Sequence, residues 1–170
     1  MPYGRISGRG RRNVPNRVVL PLDSGYDSNT LKTEAYGMKL LIVIDMQNDF
    51  IDGALGTAEA VKIVPAVADK LAARRSEGWK VLFTRDTHGA DYLDTQEGRR
   101  LSVPHCIWGT EGWQITSSLE VGEAALVDKP TFGSLDLAEA AANLGEPEEI
   151  ELVGLCTDIC VISNAMILKA

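Results

Sequence analysis

The chain reads as a three-layer α/β/α domain built on a parallel sheet. Three observations predict this. Short apolar runs rich in Leu, Ile and Val recur along the sequence, as strands buried on both faces do. Segments of helical periodicity separate them, the alternation that crossover helices on a parallel sheet require. Acidic, basic and thiol side chains fall just past the ends of the apolar runs, which is where open parallel sheets bind ligands.

The ordered pattern begins at Met38. "MKLLIVIDMQNDF" is an apolar run ending in acids and predicts the first strand. "TAEAVKIVPAVADKLAARRSEG" places Val61, Val64, Val67 and Leu71 at helical spacing despite Pro65, and predicts a helix with those residues on its core face. "WKVLFTRD" predicts the second strand. The polar, glycine-containing stretch from Thr87 to Gly112 is too long for a plain connector and reads as a functional loop. "AALVDK" predicts the third strand, and "SLDLAEAAANLG" a helix capped by Ser134 and stopped at Gly145. "EEIELVGL" predicts the fourth strand and "DICVISNAMILK" the closing helix.

Residues 1–37 are Arg-, Gly- and Ser-rich with one short apolar patch, Val18 to Leu22. They read as a disordered N-terminal extension, leaving 38–170 as the folded domain. A basic arm for a partner, or a true start at Met38, are the alternatives. Arg11-Arg12 is not followed by the apolar region that an export signal needs.

The net charge of −7 makes nucleic acid and anionic membranes poor partners. No apolar stretch approaches the ~20 residues of a spanning helix. The three cysteines, Cys106, Cys156 and Cys160, are odd in number and late in the chain. That argues against a disulfide framework and for a reducing compartment, the cytoplasm.

Three chemically able residues fall at strand ends: Asp45 after the first, Lys129 after the third and Cys160 after the fourth. Alone, each has a bland reading, as a turn acid, a solvated lysine or a core thiol. Together they suit nucleophilic catalysis. A helix's first turn and Lys129 would both favour the Cys160 thiolate, so an easily ionised thiol is expected. Asp45 could take the thiol proton and return it to a leaving amine. Backbone N–H groups between Cys156 and Cys160 could receive an oxyanion, while the Cys156 side chain, beside the strand, reads as structural. The C-x₃-C spacing departs from the C-x₂-C of redox and zinc motifs. The long loop holds Asp86, His88, Glu97 and His105, and the chain has only these two histidines. Carboxylate with imidazole suits Zn²⁺, Fe²⁺ or Mn²⁺. A solvated polar loop is the alternative.

"LIVIDMQNDF", "TRDTH", "PHCIWGTEGW", "DKPTFGS" and "GLCTDICV" together resemble the isochorismatase-like superfamily of cysteine hydrolases, which includes the nicotinamidases. The resemblance runs from Met38 to Ala170. It implies a Rossmann-like fold, an Asp–Lys–Cys catalytic set at Asp45, Lys129 and Cys160, and a cis peptide at Leu155–Cys156. That peptide would aim the Cys156 and Cys160 N–H groups at an oxyanion. The resemblance also implies a divalent metal on Asp86, His88 and His105, with Glu97 as a further ligand, and no organic cofactor. Nicotinamidases commonly carry an aromatic three residues before the last metal-binding His, where this chain has Ser102; Phe50 could supply one wall of a pocket. Isochorismatase itself lacks the nucleophilic cysteine, so Cys160 points to hydrolysis of a non-peptide C–N bond in a small-molecule amide through a thioester. The family domain continues past Ala170 with at least one more strand and helix, so a C-terminal truncation is expected. The alternative function is a truncated or inactive homologue that only binds a small molecule or a partner subunit. A homo-oligomer is an open option.

Overall fold

β1 (Lys39–Ile44) shows why the molecule is layered. It is buried from Leu40 onward, and successive side chains of a strand point to opposite faces. Leu41 and Val43 pack against Val64, Val67 and Leu71 of α2 (Ala58–Ser76). Leu40, Ile42 and Ile44 pack on the other face against Leu137 and Ala141 of α3 (Leu135–Leu144). One strand thus feeds two cores, and the sheet is the middle layer.

The computed structural model describes residues 37–170, and the expected disordered extension lies outside them apart from Gly37. β2 (Lys80–Asp86), β3 (Ala125–Lys129) and β4 (Glu149–Gly154) complete a four-stranded sheet in the order β3-β2-β1-β4. Every pairing is parallel. The carboxyl ends of all four strands therefore lie along one rim. No helix of the described residues is long and apolar enough to cross a membrane.

Three features differ from the sequence expectations. A one-turn helix, α1 (Asn48–Ile51), follows β1 directly. Val61 is 48% exposed, off the core stripe that Val64, Val67 and Leu71 form. Pro65 is also exposed, so the hydrogen bond it cannot make to the turn before it is lost on the solvent side of α2. Finally, the segment after β4 opens as a π-helical turn, Thr157–Val161, before α4 (Ile162–Lys169) begins. Helices α2 and α3 start as expected, with Thr57 accepting from the Ala60 N–H and Ser134 from the Leu137 N–H. Their side-chain oxygens satisfy donors that the first turn leaves free.

Candidate active site

Parallel register brings the strand ends together. Asp86 and Lys129 are direct partners at the ends of β2 and β3, and Asp45 follows β1. The Lys129 Nζ lies 2.6 Å from Asp45 Oδ2, 3.3 Å from Asp86 Oδ1 and 3.5 Å from Cys160 Sγ. Asp45 and Lys129 are fully buried and Cys160 nearly so. The structure thus gathers the three strand-end residues around one ammonium group.

Asp45 is held in place by residues that sequence reasoning missed. Thr84, inside β2, donates its hydroxyl to Asp45 Oδ1 at 2.6 Å, and the Asp45 N–H donates back to Thr84 Oγ1 at 3.2 Å. Asp45 has a φ of 48°, a left-handed conformation that Asp tolerates better than most residues. Its Oδ2 accepts no hydrogen bond of good geometry beyond the close approach of Lys129. Gln47, also fully buried, clamps Asp86. Its Nε2 donates to the Asp86 and Trp113 carbonyls, both at 2.8 Å, and its Oε1 accepts from the Asp86 N–H at 2.7 Å. Asn164, one helical turn past Cys160, donates to the Cys160 carbonyl at 2.8 Å and the Phe132 carbonyl at 3.0 Å, and accepts from the Ser134 N–H. It ties the cysteine turn to the segment after β3. The only sequence signal for these three was an uncharged polar residue inside or beside an apolar run.

The electrostatics overturn the expected easy ionisation of Cys160. Burial pushes the thiol up, and the Asp45 carboxylate pushes the same way against Lys129. Lys129 is too heavily shared to prevail, since both carboxylates sit closer to it than the sulfur does. Burial alone would lower Lys129, but Asp45 and Asp86 outweigh it and keep the ammonium charged. Burial raises Asp45 above an ordinary carboxyl even with Lys129 opposing, which makes it a better proton acceptor. The site thus disfavours a resting thiolate while keeping Lys129 charged.

Asp86, His88 and His105 are buried, and their ligand atoms lie within 4.8 Å of one another. His88 Nε2 is 2.9 Å and His105 Nε2 3.6 Å from Asp86 Oδ2. Glu97 Oε1 lies 3.9 Å and 3.8 Å from the same two nitrogens. The His105 Nδ1–H donates to the Val103 carbonyl at 2.8 Å. That bond leaves Nε2 of the neutral ring with a lone pair facing the cluster. Two imidazoles and two carboxylates converging in this way fit a divalent transition metal. Burial would raise Asp86, but the His105 and His88 rings beside it and the Lys129 charge hold it well below the usual carboxylate range.

Cys160 and the Asp86, His88, Glu97 and His105 cluster line one cavity of about 710 Å³, whose walls also include Phe50, Phe132, Leu155 and Cys156. Phe50 lies on the cavity wall, its ring 5.5 Å from that of His105. Ser102 does not line the cavity; its hydroxyl donates to the Gly98 carbonyl. Cys156 departs from its structural reading, because its thiol is exposed at the cavity. The Leu155–Cys156 peptide is cis, and the Cys156 N–H donates no hydrogen bond to any described residue.

The sequence profile of the isochorismatase domain matches residues 39–169, which span every strand and every residue of both clusters. The chain belongs to the isochorismatase family. It is a hydrolase of that family, with the parallel α/β fold of its solved relatives. It is 29% identical over 144 residues to the nicotinamidase/pyrazinamidase of Mycobacterium tuberculosis H37Rv, covering 75% of this chain and 77% of that one. The crystal structure of a nicotinamidase/pyrazinamidase from Bacillus subtilis is similar at a TM-score of 0.66 and 33% identity, over 76% of this chain and 77% of the other. The pyrazinamidase of Pyrococcus horikoshii, solved in complex with zinc, is similar at a TM-score of 0.65 and 27% identity, over 75% and 76% of the two chains.

Proposed function

We propose that this hydrolase cleaves the C–N bond of a small-molecule amide, with Cys160 as nucleophile, Asp45 as acid and base, and Lys129 as the fixed cation between them. The observation that carries the reading is the single Lys129 ammonium within 3.5 Å of both Cys160 Sγ and Asp45 Oδ2, at the edge of a cavity. Nicotinamidase relatives support the amide class. The free cysteines suit a reducing compartment such as the cytoplasm.

The resting thiol is neutral, so it is activated by proton transfer as it attacks. The proton passes to Asp45 Oδ2, the oxygen with an open lone pair. The sulfur lone pair forms the S–C bond, and the carbonyl π electrons move onto oxygen, toward the Cys156 and Cys160 N–H groups. The intermediate collapses, the C–N bond breaks, and the leaving nitrogen takes the proton from Asp45. A water then gives a proton to Asp45 and attacks the thioester; the S–C bond breaks and the thiolate recovers that proton. Lys129 stays charged throughout and offsets the negative charge as it moves between Asp45 and sulfur. Asp86, His88, His105 and Glu97 are the residues that would hold a divalent transition metal, which when bound would polarise a substrate or water oxygen.

A panel of small amides with ammonia release as the readout tests this. Cys160→Ala and Asp45→Asn are each expected to lose at least about a thousandfold in kcat/KM while keeping the native circular dichroism. Full turnover by Cys160→Ala would remove Cys160 as the nucleophile, and no turnover of any amide by wild type would leave only the binding reading of this domain.

A further inference from the structure

The cavity in front of Cys160 is larger than a bare carboxamide needs. Its volume of about 710 Å³ falls within the range of roughly 300–1,000 Å³ of sites for drug-sized ligands. Its lining includes the apolar side chains of Phe50, Leu55, Phe132, Leu155 and Ile159. Most polar groups on its walls are already engaged. Thr57 caps α2, Thr95 donates to the Tyr92 carbonyl, and Thr131 donates to the Gly133 carbonyl. Asp86, His88, Glu97 and His105 face one another.

Arg100 differs from all of these. It is the one Lys or Arg among the lining residues. Its guanidinium makes no ion pair or hydrogen bond with any described residue, whereas that of its neighbour Arg99 is spent on the Asp94 carbonyl. Its backbone is nevertheless fixed, because the Arg100 N–H donates to the Glu97 carbonyl at 2.8 Å. The turn that delivers Glu97 to the histidines thus also carries an exposed arginine at the cavity wall.

A guanidinium fork matches a carboxylate in shape and charge. A single arginine near Glu97 suits a monoanion better than a phosphate dianion, which would call for further cations. We infer that Arg100 is a specificity-determining residue that selects amides carrying a carboxylate away from the scissile bond. The inference rests on the proposed amide hydrolysis at Cys160. Arg100 would grip the remote carboxylate while the amide carbonyl lies against the sulfur.

The test compares succinamate, glutaramate and adipamate with their neutral methyl-ketone counterparts, using the full chain. Wild type is expected to favour at least one acid over its neutral partner by about tenfold in kcat/KM. Arg100→Met should erase that preference through KM and leave the neutral amides unchanged. Arg100→Lys should keep part of it, as a charge without the fork. Calorimetric binding of the same amides to Cys160→Ala reads Arg100 without turnover. Should turnover fail while Arg100-dependent binding of the acids persists, the nucleophile assignment falls and the carboxylate site stands. Equal binding of acids and neutral amides, or an acid preference that survives in Arg100→Met, overturns the inference.

Discussion

At the residue scale, the behaviour of Cys160 depends on how one cation is divided. Lys129 is drawn to two carboxylates before it reaches the sulfur, and burial adds to the cost of a thiolate. The folded pKa is raised, so the thiolate fraction at any given pH is smaller than for a free thiol. Iodoacetamide labelling of Cys160, followed by peptide mapping, should therefore lag behind exposed Cys156 at neutral pH. It should keep rising with pH beyond the ~8.5 of an ordinary cysteine; a plateau below that value would mean that Lys129 favours the sulfur after all. Lys129→Met would leave Asp45 and Asp86 without their shared cation. Breaking such a buried pair costs about 3–5 kcal/mol, so urea denaturation of this variant should show a loss of that order. A near-neutral effect would mean that the carboxylates pick up protons easily and that Lys129 matters less to the resting charge than its distances indicate.

At the scale of elements, the strands and helices were legible because each carries its own pattern. Each of β1 to β4 contains one of the apolar runs, and Thr57 and Ser134 open α2 and α3. Val61 was misplaced because helical spacing drifts around the axis, and only packing decides where the buried stripe stops. Val67→Ala should then cost about 1–3 kcal/mol, whereas Val61→Ala should stay within about 0.5 kcal/mol; equal costs in a denaturation series would contradict the observed face of α2. Thr84, Gln47 and Asn164 were illegible for a different reason. A polar side chain does not announce which distant backbone group it will satisfy, and these partners arrive from other strands and loops. Asn164→Ala would orphan the Ser134 N–H and loosen the cysteine turn. It should lose about 1–3 kcal/mol of stability and lower kcat more than it raises KM. A variant with unchanged kcat would reduce Asn164 to a packing role.

At the scale of the whole molecule, the parallel sheet sets the site, because it places the ends of four separate strands on one rim. The positions of Asp45, Lys129 and Cys160 could be read from the chain for that reason. Their protonation could not, since it arises from distances between strands that no single segment encodes. The His and Asp cluster follows the same logic: Asp86 ends β2, His88 follows it, and the long loop returns His105 beside them, held by the bridge between His88 and Ile107. Protein incubated with Zn²⁺ and desalted should retain about one equivalent, and His88→Ala should retain much less; equal retention by the two would place the zinc elsewhere.

The most direct measurement is intact-mass spectrometry of the protein quenched during turnover of a slowly hydrolysed amide, followed by peptide mapping. The expected result is a mass increase equal to the acyl group of the substrate, confined to the peptide that contains Cys160 and absent from Cys160→Ala. An acyl group found on Cys156 instead, or steady turnover with Cys160 unmodified and dispensable, would contradict nucleophilic catalysis at this residue.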